Sequence, residues 1–359
     1  LVVAGTHGKT TTSSLLATAL HRAGSTPGFM IGGLVEAFGG NAHVSDGPYF
    51  VVEGDEYDTA FFNKVSKFQH YRPHCAILTS VEFDHADIFT DFASVKSTFT
   101  EFVGRIPPEG AVVACFDDPV VREITGQAAR CPIIDYGTSP GCSWYLADLA
   151  VKGLDSDFLV YHQGQCLGRC ALPMPGRHNA LNALAVIALL THLGFPFAAI
   201  TNGLASFEGV KRRQQIRGVV RGVTVIDDFA HHPTAVRETL RALRLAWPGN
   251  RLVVVFEPRT NSSRRAVFQH EYAQAFGVAD QILIREHIPL DTIPLGQQFS
   301  SAKLAEDLRA KSLQAEAYPD TEAILDALAQ SCRSGDIVVI LSNGGFDGIH
   351  ERLLARLAS

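Results

Sequence analysis

The residue types best suited to chemistry stand at the start of the chain, in Gly5-Thr6-His7-Gly8-Lys9-Thr10-Thr11, directly after the apolar run Leu1-Val2-Val3-Ala4. Glycines let a backbone bend until several N–H groups converge on one anion, and the positive end of a following helix dipole favours the same charge. On this reading Lys9 reaches the β- and γ-phosphates of a nucleotide, and the Thr10 hydroxyl sits on a magnesium ion. The commoner spacing GxxxxGK[ST] asks for glycine at position 3, where this chain has Val3, so the loop is a shorter GTxGKTT variant. The plainer alternative is a glycine turn that merely joins strand to helix. Two glycines, a lysine and a run of threonines after an apolar strand speak against it.

A second group is acidic. Tyr49-Phe50-Val51-Val52 runs straight into Glu53-Gly54-Asp55-Glu56-Tyr57-Asp58, and Cys75-Ala76-Ile77-Leu78-Thr79-Ser80 runs into Val81-Glu82-Phe83-Asp84-His85. In open α/β sheets ligands gather beyond the carboxyl ends of the strands, so Glu53 and His85 are expected on the rim that carries Lys9 and Thr10. One carboxylate and one imidazole suit a divalent ion bridging phosphates, although magnesium prefers oxygen and His85 reads as readily as an ordinary loop histidine. Asp55, Glu56 and Asp58 read as a solvated acidic turn, Glu56 above all.

Farther along, Arg177-His178-Asn179 with Asn182 stands at a helix start. Asn179 and Asn182 share a helix face, which suits recognition of an adenine edge; ordinary N-capping competes, and spacing alone favours it. Lys211-Arg212-Arg213, with Arg217 and Arg221 beyond, is either a solvated linker or the source of an arginine that swings onto a γ-phosphate as charge builds there. Asp227-Asp228-Phe229-Ala230-His231-His232-Pro233 closes another apolar run. A carboxylate at that place can hold ribose hydroxyls, while Pro233 opens the next helix.

The elements that must position these groups alternate between strand and helix signals. Strands are expected at the start, at Phe29-Met30-Ile31, at residues 49–52 and 75–80, and at Ala111-Val112-Val113-Ala114-Cys115, with helices between, which argues a mainly parallel sheet wrapped by helices. From about Ser143 to Pro173 the pattern changes to short strands around residues 144–146, 158–161 and 165–167, read as antiparallel hairpins added to that sheet. A helix from Ala180 to Leu193 follows. A second βα series begins near Lys211, with strands at residues 223–228, 251–256, 280–284 and 336–341. The fold class is therefore α/β, a P-loop-containing mainly parallel sheet over residues 1–211 and a smaller Rossmann-like domain over residues 212–359.

With 359 residues the chain suffices for two domains of ordinary size. Its 46% hydrophobic and 19% charged residues are those of a globular protein, and a net charge of −6 argues against a general nucleic-acid footprint. The seven cysteines are scattered, odd in number and never in a C-x-x-C pair, so zinc and disulfide frameworks are not expected and a reducing, cytoplasmic setting is. No membrane span or signal peptide is read. The chain opens inside a strand without an initiator Met, which leads to the expectation of a fragment.

Taken together, Gly5 to Thr11, Glu53 to Asp58, Asp84-His85, His178-Asn179 with Asn182, Arg212-Arg213 and Asp228 to Pro233 occur in the order seen in the Mur ligases. These are ATP-dependent amide-bond-forming enzymes of peptidoglycan synthesis, and the resemblance covers essentially the whole chain. Within the family, the stretch from Glu53 to Phe62, the loop Phe256-Glu257-Pro258-Arg259-Thr260-Asn261 and Ser342-Asn343-Gly344-Gly345-Phe346 resemble the branch that adds a tripeptide, L-alanyl-γ-D-glutamyl-meso-diaminopimelate, to UDP-N-acetylmuramate. The alanine-adding branch, a folylpolyglutamate-type ligase and a non-catalytic nucleotide-binding module are the alternatives.

The resemblance implies that Gly5, Thr6, His7, Gly8, Lys9, Thr10 and Thr11 cradle ATP. It implies that Thr10, Glu53 and His85 hold Mg2+, and that His178, Asn179, Asn182, Arg213, Asp228 and His231 meet the nucleotide. Lys9, Glu53, His85 and Arg213 would carry catalysis, and Arg259, Ser342, Asn343 and Gly344 would hold the amino substrate. Two departures stand out. For the carbamylated lysine of several members the helix after His85 offers only Lys96, at a poorly matching spacing, so none is assigned, and the N-terminal UDP-sugar domain of the family is expected to be missing from this sequence.

Overall fold

The opening apolar run becomes strand β1 (Val2–Ala4), buried along its length. β2 (Gly28–Val35), β3 (Gly40–His43), β4 (Phe50–Gly54), β5 (Cys75–Leu78), β6 (Ala111–Cys115) and β7 (Ile133–Gly137) follow in the same unit, then β8 (Trp144–Lys152), β9 (Asp155–His162) and β10 (Gln165–Leu172). This computed structural model describes residues 1–58, 63, 65–289, 291 and 294–359, apart from the side chain of Leu295. The chain divides into two compact units, Leu1–Lys211 and Arg212–Ser359.

Among the described residues, the first unit builds a ten-stranded sheet in the order β10-β9-β8-β7-β6-β5-β1-β4-β2-β3. Strands β2, β4, β1, β5, β6, β7 and β8 pair in parallel, whereas β3, β9 and β10 are antiparallel to their neighbours. The central strands are apolar throughout because side chains alternate between two buried faces. Val3, Ile77 and Val113 point into one core with Leu15, Leu16, Leu184 and Ala188. Val2, Ala4, Ala76, Leu78, Val112 and Ala114 point into the other with Phe68, Phe99, Phe102 and Ile124. Helix Lys9–Arg22 is buried from Thr10 to Leu20, packed on the sheet and on helices Arg177–His192 and Phe197–Ala205.

Two local expectations are corrected. The hairpin strands are longer than the short runs suggest: β9 already begins at Asp155, because polar residues facing solvent on an edge meander still pair through their backbone. The helix expected from Ala180 starts at Arg177, which puts Asn179 in its first turn.

The second unit has β11 (Gln215–Val220), β12 (Val223–Asp228), β13 (Leu252–Phe256), β14 (Gln281–Arg285), β15 (Gln314–Tyr318) and β16 (Ile337–Leu341), ordered β11-β12-β16-β13-β14-β15. All neighbours are parallel except β11, which pairs antiparallel with β12. Arg217, read as part of a solvated linker, therefore lies in a strand: the alternation of Ile216, Val219 and Val220 with polar residues is too weak to announce an edge strand. No helix among the described residues is long and apolar enough to cross a membrane. The cysteines form no disulfide, and five of them, Cys75, Cys115, Cys131, Cys142 and Cys170, are buried.

Candidate active site

Register brings the first unit's reactive loops to one edge. β1 lies between β4 and β5, with Val3 opposite Glu53 and Ala4 opposite both Gly54 and Leu78. The glycine loop, residues 55–58 and residues 79–85 therefore leave the sheet side by side. Gly5 and Gly8 make the loop possible, with φ +129° and +81°. A Cβ on Gly5 would fall 2.2 Å from Thr79 Oγ1, and one on Gly8 would fall 2.8 Å from Asn182 Oδ1. The loop after β5 braces the turn: Thr6 N donates to Ser80 O at 2.8 Å, His7 N to Ser80 Oγ at 3.1 Å, and Thr79 Oγ1 to His7 O at 2.6 Å. Gly8 caps helix Lys9–Arg22 without a side-chain hydrogen bond, and no acid lies in the first turn, so the amides at this helix end suit an anion.

Lys9 Nζ donates to Gly5 O at 2.7 Å, Thr6 O at 3.1 Å and Glu56 Oε1 at 2.8 Å. Glu56 is 2% exposed, which corrects its reading as a solvated acid. Burial would lower the ammonium's pKa, but Glu56, with Glu53 and Asp55, outweighs it and holds Lys9 above its ordinary value. His85 Nε2 lies 3.2 Å from the same Glu56 Oε1. Burial again pulls downward, and the Glu56 contact together with Asp84 raises the imidazole above its usual range. His85 has φ 53°, and the edge of its ring meets Tyr57, whose hydroxyl donates to Asp87. Asp55 pairs with Lys67 at 2.6 Å.

Glu53 faces Thr10: the hydroxyl donates to Oε1 at 3.0 Å, and Gly32 N donates to Oε2 at 2.7 Å. The set Thr10, Glu53 and His85 thus separates into a Thr10–Glu53 pair and a Glu56–His85 pair, both beside the glycine loop. Among the described residues, Glu53, Glu56 and His85 do not close into a three-ligand cluster. Thr10 and Glu53 alone still fit magnesium, which takes one or two protein oxygens and leaves its other positions to water and phosphate. His7 lies 3.3 Å from Glu82. Lys96 pairs with Glu123 at 2.6 Å in a surface contact between helices.

Asn179 and Asn182 are both buried. Asn179 Nδ2 donates to Pro175 O at 2.8 Å, and Asn182 packs beneath Gly8. Neither caps the helix, whose N-cap is Gly176 without a side-chain bond, so N-capping is not the role of these residues. His178 stands between Asn179 and Arg177, which reaches Asp117 at 3.0 Å and Thr138 Oγ1 at 2.7 Å.

In the second unit, Asp228, Phe256 and Leu341 lie in register, so the loops after β12, β13 and β16 leave at one level. Asp228 is buried: Oδ2 accepts from Gln214 N at 2.8 Å and Oδ1 from Ala230 N at 2.8 Å. Burial pushes its carboxyl above the ordinary value, offset only in part by Arg213 and the two amides. Arg213 stacks over Phe229 with its guanidinium carbon 4.9 Å from the ring centroid, and His231 Nδ1 lies 2.9 Å from Phe229 O. Arg212 donates to Ser342 O at 2.6 Å and Gly344 O at 2.7 Å. Ser342 Oγ donates to the buried Glu257 at 2.5 Å, Gly344 N donates to Ser342 Oγ at 2.9 Å, and Asn343 Oδ1 is buried with no hydrogen-bond partner among the described residues. Arg259 lies 3.7 Å from Glu257.

Sequence reasoning missed Glu56, Asp227 and Glu257 as hubs. Glu257 had the same signal as Glu53, an acid closing a five-residue apolar strand. Asp227, with Arg217 at 3.2 Å and His350 at 3.3 Å, also closes an apolar run, but nothing near it in sequence announces these partners.

Residues 3–190 match the Mur ligase middle domain, and residues 212–344 match the Mur ligase glutamate ligase domain. The chain is 41% identical over 348 residues to the UDP-N-acetylmuramate–L-alanine ligase of Acidothermus cellulolyticus, covering 96% of this chain and 71% of that protein. It is 37% identical over 361 residues to the UDP-N-acetylmuramate–L-alanyl-γ-D-glutamyl-meso-2,6-diaminoheptandioate ligase of Escherichia coli, covering 100% of this chain and 76% of that one. Among solved structures it resembles a murein peptide ligase from Psychrobacter arcticus at 31% identity and a TM-score of 0.72, over 100% of this chain and 77% of that one. With its glycine loop, its strand-end acids and both matched domains, the chain belongs to the Mur ligase family of ATP-dependent amide-bond ligases that act in peptidoglycan synthesis.

Proposed function

We propose that this protein joins L-alanyl-γ-D-glutamyl-meso-diaminopimelate to the lactyl carboxylate of UDP-N-acetylmuramate, in the recycling of murein. The observation that carries the ligase chemistry is the convergence of Lys9, Thr10, Glu53 and His85 around one glycine loop. The tripeptide reading is supported by the loops at residues 256–261 and 342–346 and by the Glu53–Asp58 run; residues 59–62 of that last stretch lie outside the described residues.

A carboxylate resists attack by an amine until it is activated as its acyl phosphate, after which the free amino group of the peptide attacks the carbonyl and phosphate leaves. The first unit serves the nucleotide. Gly5 to Thr11 bind the phosphates through backbone amides, and the charged Lys9 exchanges its loop and Glu56 contacts for phosphate oxygens. Asn179 and Asn182 serve the adenine end, Asn182 also by fixing Gly8. Thr10 and Glu53 would hold magnesium, which when bound would neutralise charge on the phosphates; His85 keeps Glu56 in place beside Lys9. The second unit supplies Arg213 for the developing charge, with Asp228 shaping the loop that carries it, and holds the amino substrate. Catalysis is then mostly positioning and electrostatics.

The test is ADP release by the complete gene product with UDP-N-acetylmuramate, offered the tripeptide or free L-alanine. Turnover with the tripeptide and not with L-alanine is expected. The reverse would establish the alanine-adding reading, which the 41% identity to the Acidothermus enzyme favours. Binding of magnesium-ATP with no ADP formed from any amine would leave a nucleotide-binding module.

A further inference from the structure

In the glycine loop the backbone amides, Lys9 and Thr10 serve the phosphates, and that work asks nothing of the side chain at position 7. An imidazole nevertheless stands there, with a partner 75 positions away. Strands β1 and β5 pair with Ala4 opposite Leu78, so residues 5–8 and 79–82 leave the sheet side by side. His7 Nε2 meets Glu82 Oε2 at 3.3 Å, with side chains 21% and 37% exposed. The backbone fixes both members of the pair. His7 N donates to Ser80 Oγ at 3.1 Å, and His7 O accepts from Thr79 Oγ1 at 2.6 Å. Thr6 Oγ1 accepts from Glu82 N at 2.8 Å and donates to Glu82 O at 3.2 Å, and the preceding Val81 N donates to Asp118 Oδ2 at 2.8 Å.

Resting on the acyl-phosphate chemistry proposed above, we infer that His7 is the catalytic base that takes the proton from the attacking amine, with Glu82 as its positioning residue. A carboxylate can only accept, so the hydrogen of the neutral imidazole lies on Nε2 and the lone pair on Nδ1. As the amine nitrogen forms its bond to the carbonyl carbon, the carbonyl π pair moves onto oxygen and an N–H proton passes to Nδ1. The oxygen pair then restores the carbonyl, the C–O bond to phosphate breaks, and phosphate leaves with that bond's electrons. One proton has left nitrogen, and the departing phosphate takes up one to become hydrogen phosphate. A base mounted on the phosphate loop can pass that proton on and return to its neutral form. In between, Glu82 offsets the positive charge of the imidazolium.

Neighbouring acids and bases among the described residues are engaged otherwise. Glu56 accepts from Lys9 and faces His85, so the carboxylate beside that imidazole already neutralises an ammonium. Glu53 accepts from Thr10 and from Gly32 N, Asp55 pairs with Lys67, and Asp84 accepts from His85 N at 2.6 Å. In the pair of His7 and Glu82 the imidazole itself is the group that gains charge.

The experiment compares two nucleophiles on the complete gene product, as parent, His7→Gln and Glu82→Gln. One is the amine that the parent uses, whether tripeptide or L-alanine. The other is hydroxylamine, which is largely unprotonated at neutral pH and attacks an acyl phosphate without help from a base. Amide and hydroxamate are measured at saturating ATP and UDP-N-acetylmuramate. In His7→Gln the kcat for the amide should fall about a hundred-fold more than hydroxamate formation does, with KM for the amine little changed. In Glu82→Gln the difference should be about ten-fold, since the imidazole remains but loses the charge that balances its protonated form. Parallel loss of both products would make the pair a brace of the phosphate loop and overturn the assignment, as would a parent-like kcat for the amide. Glu82→Gln decides between these outcomes even if His7→Gln fails to fold. A parent that forms no ADP with any amine would instead remove the ligase reading, and this role with it.

Discussion

Lys9 Nζ and Glu56 Oε2 stand 2.7 Å apart, with side chains 13% and 3% exposed. The lysine of the phosphate loop is thus already paired, and its contacts with Gly5 O and Thr6 O use its remaining donors. A phosphate must replace this set, so the lysine is held charged and in place before any nucleotide arrives. Lys9→Ala should lower ATP-dependent ligation by on the order of a hundred-fold or more, because charge on the transferred phosphoryl group loses its nearest cation. ADP release by the variant checks this, and full activity would remove the loop from the mechanism.

The same pair should be strongly coupled in stability. Removing one partner strands a buried charge, so Lys9→Met and Glu56→Gln should each destabilise the protein by about 3 kcal/mol. The double variant should lose less than the sum, leaving an interaction energy on the order of 1–3 kcal/mol in urea unfolding. Strict additivity would show that the two groups do not meet in solution.

Gly8→Ala should damage both stability and nucleotide binding. The left-handed backbone at φ +81° costs an L-residue about 1–2 kcal/mol, and the new methyl also meets Asn182 at 2.8 Å. Denaturant unfolding and calorimetric titration with magnesium-ATP measure the two effects. A variant that matches the parent in both would show that the turn tolerates a side chain.

Acid should loosen the second unit through Asp227. Burial alone would raise this carboxyl, but His350, Arg212 and Arg217 hold it below the ordinary carboxylate value. A depressed folded pKa contributes stability that is present above the unfolded value, near pH 4, and lost as the pH falls through the folded value. Asp227→Asn should flatten that acid-side slope and cost about 3 kcal/mol at pH 7 by leaving the arginines unbalanced. Unfolding followed from pH 7 down to pH 2 gives the comparison; an unchanged slope would place the acid sensitivity elsewhere.

Much of this site was legible because its signals are local. A glycine turn after an apolar run, and acids that close strands of five or so apolar residues, are patterns a few residues long, and a parallel sheet turns such endings into one rim. The gathering of Lys9, Thr10, Glu53 and His85 on one rim is therefore expected from the sequence, as are the strand at residues 223–228 and the proline that opens helix Pro233–Ala246. Edge strand β11 escaped, since its alternation is weak and its pairing with β12 runs through the backbone.

Composition, strand endings and turn chemistry, all written along the chain, determined an α/β protein with a nucleotide loop and an acidic rim. Tertiary structure alone decided which acid meets which base. Glu56 joins Lys9 across 47 positions and His85 across 29, and its neighbour Asp55 turns outward to Lys67. Spacing within one segment cannot distinguish a buried carboxylate from a solvated one, because burial depends on what distant strands bring to the same place. The pairing of Arg285 with Glu257 arises in the same way, from strands that adjoin only when the sheet forms.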